Sequence, residues 1–562
     1  MSDLISRKEF IKKSSGAAIS VGLMGGISTM LISCSRPALD LLIKNGSIID
    51  GTGKSEFPAD IGIRDGKIVA IENYGILKDD NSIKTIDAKN LKVTPGFIDI
   101  HSHTDTGLFI NPNAESKIRQ GVTTEVAGQD GSSVAPRKNN SDDDDEYEVG
   151  NKSWSTFPEF FKLLEENKTA VNFVTFVGQG TLRGFVVGQD DRIATLEEIE
   201  QMKKLAMEAF DQGVFGISSG LEYTPGSFAS TEEISELCKV MKNRGGIYAT
   251  HMRNEADTVL EAITEAIQIG KAAGVPVNIS HLKLQGKANW NKIDQALASI
   301  EDANSNGYRV TFDRYPYTAF STGLSNLFPL WSRDGGRERF LERLQIKNDL
   351  IEIKKYVLDK VASLSSWDAV LIAGVKKENN KKFEGKTIQQ ITLETKEDPF
   401  EFTRKLLIDE NGSVSMCGFG MNEENTSRIL AHPLCMVASD ASARATYGKL
   451  SEGSPHPRSY GTFPRFLGRY VRQNNIVTLP EAIRKITSFP AETLGISNRG
   501  VIAKGKMADV VCFDYENIID KSDYVNPHQY SQGVQYMVVN GELVIEKSEH
   551  TGKLPGQILR NS

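Results

Sequence analysis

Pro95-Gly96-Phe97-Ile98-Asp99-Ile100-His101-Ser102-His103 is the stretch on which the reading of this chain turns. A short apolar run leads straight into two histidines one residue apart. Side chains of an extended strand alternate between its faces, so His101 and His103 share one side of a strand end. Two neutral imidazoles so placed can grip one metal ion. Histidine is scarce here, 8 in 562 residues. His101, His103, His251, His281 and His456 all stand in motif-like surroundings.

Outward from that stretch, the middle of the chain alternates apolar strand-like runs with amphipathic helices. The runs fall at 96–100, 123–126, 170–177, 216–219, 246–250, 275–279, 310–313 and 436–439, with helices such as 231–244 and 256–273 between them. Apolar strands separated by helices predict a parallel sheet of the α/β class, and eight of them close a TIM-like (β/α)8 barrel. Residues 331–410 are rich in Lys, Glu and Leu and read as a helical insertion after the seventh strand, placed where a lid would sit. Both ends are β-rich, with turns at Asn45-Gly46, Asp50-Gly51 and Asp65-Gly66 and strand-like runs at 508–513 and 536–541. They predict one small β-sandwich domain built from residues 35–94 and 491–562, flanking a barrel over 95–490.

A formal charge of −7 over this length argues against a nucleic-acid partner, which usually meets a basic face. Residues 1–34 read as an export signal: Arg7, Lys8, Lys12 and Lys13 precede a short glycine-rich apolar stretch. Its ending, Leu31-Ile32-Ser33-Cys34, resembles the lipobox of bacterial lipoproteins, with Cys34 as the lipidated residue. That expectation places the protein in the periplasm or cell envelope, held on a membrane by acyl chains. Residues 6–12 also resemble a twin-arginine signal weakly. Cys238, Cys417, Cys435 and Cys512 sit among apolar residues and are expected as buried thiols. The acidic run 142–146 lacks the ligand spacing of a calcium loop and reads as a solvated surface loop.

Three further polar residues close apolar strands: His251 after 247–250, His281 after 277–280 and Asp440 after 436–439. Barrels of this kind carry their chemistry at the C-terminal ends of the strands. Imidazoles and a carboxylate together suit Zn²⁺. Such an ion lowers the pKa of bound water from 15.7 to about 7, so the expected nucleophile is a metal-bound hydroxide. Asp440 would take its proton and pass it to a leaving amine.

At this point the chain resembles the amidohydrolase superfamily, and within it the N-acyl-D-amino-acid deacylases (D-aminoacylases). Beside 95–103, the resemblance rests on Gly-Val-Thr-Thr at 121–124 and Gly-Ile-Ser-Ser-Gly-Leu-Glu-Tyr-Thr-Pro-Gly at 216–226. It continues with Tyr-Ala-Thr-His-Met-Arg-Asn-Glu at 248–255, Ile-Ser-His-Leu-Lys at 279–283 and Asp-Arg-Tyr-Pro-Tyr-Thr-Ala at 313–319. Ser-Asp at 439–440 and His-Pro-Arg-Ser-Tyr-Gly-Thr-Phe-Pro-Arg at 456–465 complete it. The resemblance spans about residues 40–545. It implies that His101 and His103 line a weaker metal position, that His251 and His281 hold a tighter zinc, and that Asp440 is the acid/base. It further implies that Lys283, Tyr315 and Arg458 grip the carboxylate of an N-acyl amino acid substrate of D configuration. Taken alone, Arg458 could be a surface ion pair, Lys283 a stem packed beside the barrel mouth, and Tyr315 a core aromatic.

Two departures stand out. The resembled family carries a metal-ligating cysteine where this chain has Asp130, in Gly128-Gln129-Asp130-Gly131. A carboxylate can still bind zinc and can bridge two ions; being a harder ligand, it makes Mn²⁺ or a true two-metal site more plausible. As a non-ligand, Asp130 would be a turn residue before Gly131. Gln179 stands where relatives often have His. Cyclic-amide hydrolases of the dihydroorotase or hydantoinase type and isoaspartyl-type dipeptidases form the nearest alternative. They commonly use a carboxylated lysine bridge, and no lysine here ends a suitable middle strand. A lipid-anchored binding protein without chemistry is the other alternative, and it would have no need of so many strand-end ligands.

Overall fold

The computed structural model describes residues 39–138, 149 and 152–561. The signal-like segment with Cys34 and the acidic run 142–146 lie outside those residues. Eight strands form the barrel: β1 (Phe97–Asp99), β2 (Val122–Ala127), β3 (Asn172–Thr175, resumed at Val177–Gly178), β4 (Gly216–Gly220), β5 (Ile247–His251), β6 (Val277–Ile279), β7 (Val310–Arg314) and β8 (Cys435–Val437). Each pairs in parallel with the next. The ring closes between β1 and β8. There the Asp440 N–H donates to the His101 carbonyl at 2.8 Å, and the His103 N–H donates to the Ala441 carbonyl at 3.3 Å. Ile98, Val126, Val174, Ala249 and Met436, from β1, β2, β3, β5 and β8, meet in one cluster. Five of the eight strands contribute to it, so this part of the barrel interior is packed rather than hollow.

Local chemistry sets the helix ends. Thr195 and Glu198 form a capping box at the start of Leu196–Asp211. Gly274, at φ 70°, supplies the left-handed residue that ends Val259–Ala273.

Between β7 and β8 the chain builds helices Gly336–Arg343, Lys347–Leu364, Ile388–Thr395 and Pro399–Asp409. They surround a three-stranded antiparallel sheet in the order Ala319–Gly323, Ser415–Phe419, Val370–Gly374. Helices were expected here and the small sheet was not, since its strands are five residues long and glycine-containing. This segment has its own core, including Phe328, Phe340, Ile353, Ile372 and Phe400.

Both ends of the described chain share one nine-stranded sheet, in which Lys92–Pro95 pairs antiparallel with Val510–Phe513. Its strands are joined in one hydrogen-bonded network that branches at Leu39–Ile48, and their inner side chains, Ile43, Ile61, Val93, Val510 and Val538 among them, form one cluster. Cys238, Cys417, Cys435 and Cys512 are buried free thiols. No described helix is long and apolar enough to cross a membrane.

A buried ion pair ties this sheet to the barrel. Arg499 Nη1 donates to Asp509 Oδ2, the same oxygen accepts from Asn172 Nδ2 on β3 at 3.2 Å, and Asp509 Oδ1 accepts the Asn540 N–H at 2.7 Å. Arg499 and Asp509 are both buried. Removing one partner of such a pair leaves an uncompensated charge in low dielectric. Arg499→Met should therefore lower the unfolding free energy by about 3–5 kcal/mol in urea titrations; a change under about 1 kcal/mol, the range of exposed pairs, would contradict this account.

Candidate metal centre

The strand-end residues converge. His101 and His103 follow β1, Asp130 follows β2, His251 ends β5, His281 follows β6 and Asp440 follows β8. Their ligand atoms form two groups, each with all atoms within 4.8 Å of one another: His101, His103, Asp130 and Asp440, and Asp130, His251 and His281. Asp130 belongs to both. Its Oδ1 lies 3.5 Å from His101 Nε2, and its Oδ2 lies 3.6 Å from His103 Nε2, 3.7 Å from His251 Nδ1 and 3.5 Å from His281 Nε2. Asp440 Oδ1 lies 3.0 Å from His103 Nε2 and 3.6 Å from His101 Nε2.

The chain accepts backbone strain to make this arrangement. Asp130, His281 and Asp440 have φ of 54°, 34° and 51°, in the left-handed region that residues other than Gly adopt only at a cost. Glycines let the Asp130 loop pass closely over its neighbours. A Cβ on Gly220, at the end of β4, would stand 2.0 Å from the Asp130 carbonyl oxygen, and one on Gly178 would stand 2.3 Å from the Gly131 carbonyl oxygen.

These residues fit a divalent metal ion. His101 Nε2 and Asp130 Oδ1 are buried without any hydrogen-bond partner, although each faces other ligand atoms. Orphaned buried polar atoms are costly unless something else completes them. Burial alone would lower the imidazole pKa values. Bonds and charge from Asp130 and Asp440 instead bring His103 up to about 9, and Glu255 followed by Asp130 and Glu222 brings His251 up to about 10. The same negative charges that hold a proton there would hold a metal cation.

A second layer of carboxylates lies behind the histidines. Glu255 Oε1 accepts from Lys283 Nζ at 2.6 Å and lies 3.1 Å from His281 Nδ1, while its Oε2 accepts from Gln285 at 2.7 Å. Glu222 Oε2 lies 3.6 Å from His251 Nε2. Such outer carboxylates orient imidazole ligands and raise their basicity. Burial would raise the Glu255 carboxyl, but Lys283 and the two histidines hold it well below the usual carboxylate range. Glu222 and Glu255 were missed as site residues in the sequence, although Glu255 lies in the quoted block and four residues after His251.

A cleft of about 1220 Å³ opens over the centre, lined by His103, Asp130, His251, His281, Asp440, Lys283 and Arg458. Lys283 Nζ touches His281 Nδ1 at 2.6 Å as well as Glu255. Arg458 Nη1 donates to Asp440 Oδ2 at 2.6 Å. Tyr315 is fully buried with its hydroxyl unpaired, and the guanidinium of Arg458 lies 4.8 Å from its ring centre. It stands beside Arg458 and is absent from the cleft wall. Gln179 is buried at the start of helix Gln179–Val186, outside both ligand groups.

The model of the Amidohydrolase family matches residues 84–152 and 450–545. D-aminoacylase of Alcaligenes xylosoxydans xylosoxydans is 33% identical over 530 residues, 94% of this chain and 98% of that protein. The chain belongs to the D-aminoacylase family of amidohydrolases. N-acyl-D-aspartate deacylase of the same organism is 32% identical over 92% of this chain and 95% of its own length. Among solved structures, the N-acyl-D-glutamate deacylase of Bordetella bronchiseptica complexed with zinc and a phosphonate inhibitor has a TM-score of 0.78 and 31% identity, covering 93% of this chain and 99% of its own. A D-aminoacylase structure described by its binuclear metal centre has the same TM-score and 32% identity, over 93% and 100%. Likeness to a D-hydantoinase, at 15% identity and a TM-score of 0.53, extends to the fold alone. In this deacylase-family chain, a metal ion held by these residues would compete with protons for the histidines. Because histidine must be neutral to ligate, ion binding should release protons, and affinity should rise as pH is raised toward 9–10. Calorimetry in buffers of different ionisation enthalpy checks this: pH-independent binding without proton release would contradict it.

Proposed function

We propose that this protein is a metal-dependent hydrolase that removes the acyl group from N-acyl-D-amino acids, releasing a carboxylate and the free amino acid. One observation carries the reading. Residues that span 101 to 440 in sequence form two ligand groups joined by Asp130 at the mouth of a barrel, in a chain similar over nearly its full length to named D-amino-acid deacylases. His101, His103, His251, His281, Asp130 and Asp440 would hold the metal. Four imidazoles with two carboxylates suit Zn²⁺, and the harder Asp130 extends the choice to Mn²⁺. A divalent ion supplies water activation near neutral pH and polarises the amide carbonyl.

The rest falls to the chain's own groups. Asp440 lines the cleft. Burial pushes its carboxyl pKa up, but Arg458 and the surrounding histidines hold it well below the ordinary value, so it is ionised, the form a general base requires. From there it can deliver the proton to the leaving nitrogen. Arg458 and Lys283 present cations to the same cleft. The Asp440 bond occupies one donor of a guanidinium that has five, so a substrate carboxylate can share it. Tyr315, beside Arg458, braces that fork by cation–π contact. The preference for D configuration rests on the relatives.

Asp440→Asn should reduce kcat on an N-acetyl-D-amino acid by about 10²–10⁴-fold, with the metal at His251 and His281 retained, and the wild type should leave N-acetyl-L-amino acids nearly untouched. Near wild-type turnover by the variant would remove Asp440 from its role; equal rates on both enantiomers would remove the D preference.

We also read residues 1–34 as a lipoprotein export signal, on the basic start and the Leu31-Ile32-Ser33-Cys34 ending. Wild-type protein should then fractionate with membranes and incorporate labelled palmitate, and Cys34→Ala should do neither. Labelling of the variant equal to wild type would contradict anchoring through Cys34.

A further inference from the structure

Beneath the ligand residues lies a charged cluster that takes no part in the chemistry above. Lys117, on the short helix Glu115–Ile118, is wholly buried. Its ammonium lies 2.8 Å from Asp99 Oδ2, 2.9 Å from Glu125 Oε1, 2.9 Å from Ser439 Oγ, 2.7 Å from the Ala441 carbonyl and 3.4 Å from Ser102 Oγ. Asp99, Glu125, Ser439 and Ser102 are buried too. The two carboxylates continue the network. Asp99 Oδ1 accepts the Ser439 N–H at 2.9 Å, and Glu125 Oε1 accepts from Ser102 Oγ at 2.8 Å.

The sequence positions give the cluster its meaning. Ser439 and Ala441 flank Asp440, and Ser102 stands between His101 and His103. Lys117 thus holds the residues on either side of one acidic ligand and the residue between two imidazole ligands, yet none of these five contacts reaches a ligand itself. Asp440 sits at φ 51°, a conformation that persists only where its surroundings fix it. A buried polar network with well-formed bonds is a strong positional constraint, because each member is costly to leave unpaired. Among the described residues, no bond of this network reaches the His251 and His281 side of the centre, which meets Glu222, Glu255 and Lys283 instead.

We propose that Lys117 is a positioning residue which, through Ser102, Ser439 and Ala441, sets the affinity of the His101, His103, Asp130 and Asp440 group for its metal ion. This rests on the reading of those four as ligands.

The test is metal titration of the chelated full chain with Zn²⁺ and with Co²⁺, whose visible spectrum reports ligand geometry, alongside thermal unfolding. Wild type, Lys117→Met and Ser439→Ala are compared, with His103→Ala as the signature of a lost first group. Ser439→Ala removes one neutral hydroxyl and serves if Lys117→Met does not fold. The expected result is two ions per chain for wild type. Each variant should keep one ion at unchanged affinity, bind the second at least tenfold more weakly, and show a one-ion Co²⁺ spectrum like that of His103→Ala. Wild-type affinity for both ions in a folded variant, even one with a lowered Tm, would show Lys117 to be merely structural and overturn the proposal. Equal weakening of both ions would overturn it as well. A wild type that takes up no ion would sink the metal reading itself, a separate failure seen before any variant is measured.

Discussion

The barrel closes through the same backbone that carries His101, His103 and Asp440, three of the candidate ligands. β1 and β8 meet by the Asp440 N–H on the His101 carbonyl and the His103 N–H on the Ala441 carbonyl. Closing the ring therefore places Asp440 beside His101 and His103, more than 330 residues away in sequence. Local sequence could not bring these groups together, since each strand end offers only one or two of them. Assembly of this ligand group therefore requires closure of the barrel.

That placement concentrates charge in a water-poor setting. Isolated ions cost too much to bury there, and this structure balances them in nested pairs: Asp440 with Arg458, Glu255 with Lys283, Asp99 and Glu125 with Lys117. Burial alone would lower the Lys117 ammonium pKa, but Asp99 and Glu125 more than offset it and keep the charge in place. The innermost layer is where pairing stays incomplete, with His101 and Asp130 holding buried atoms that no protein group satisfies. A site that binds a cation needs such a surplus of acceptors.

Much of this was legible in the sequence because strand ends in a parallel barrel announce themselves as an apolar run closed by a polar residue. His101, His103, His251, His281 and Asp440 could be found that way, and Asp130 emerged where a resembled ligand position held a different side chain. Glu222 and Lys117 were not legible. They reach the site from a turn and a four-residue helix, where periodicity carries no signal, and their role depends on which side chains face them across the fold. The pairings of Arg458 with Asp440 and of Lys283 with Glu255 were also hidden, since a lone basic residue in sequence does not declare its partner. The small sheet between β7 and β8 escaped for a further reason: three five-residue strands inside a helix-rich segment pair only through contacts up to about a hundred residues apart.

Two cation positions at this barrel mouth require Asp130 as their shared carboxylate. Anomalous diffraction at the zinc edge, from crystals of the zinc-loaded protein, reads this directly. Two peaks should appear on either side of the Asp130 carboxylate, one near His101, His103 and Asp440 and the other near His251 and His281. Absence of zinc from the barrel mouth, or ions that leave Asp130 unligated, would contradict it.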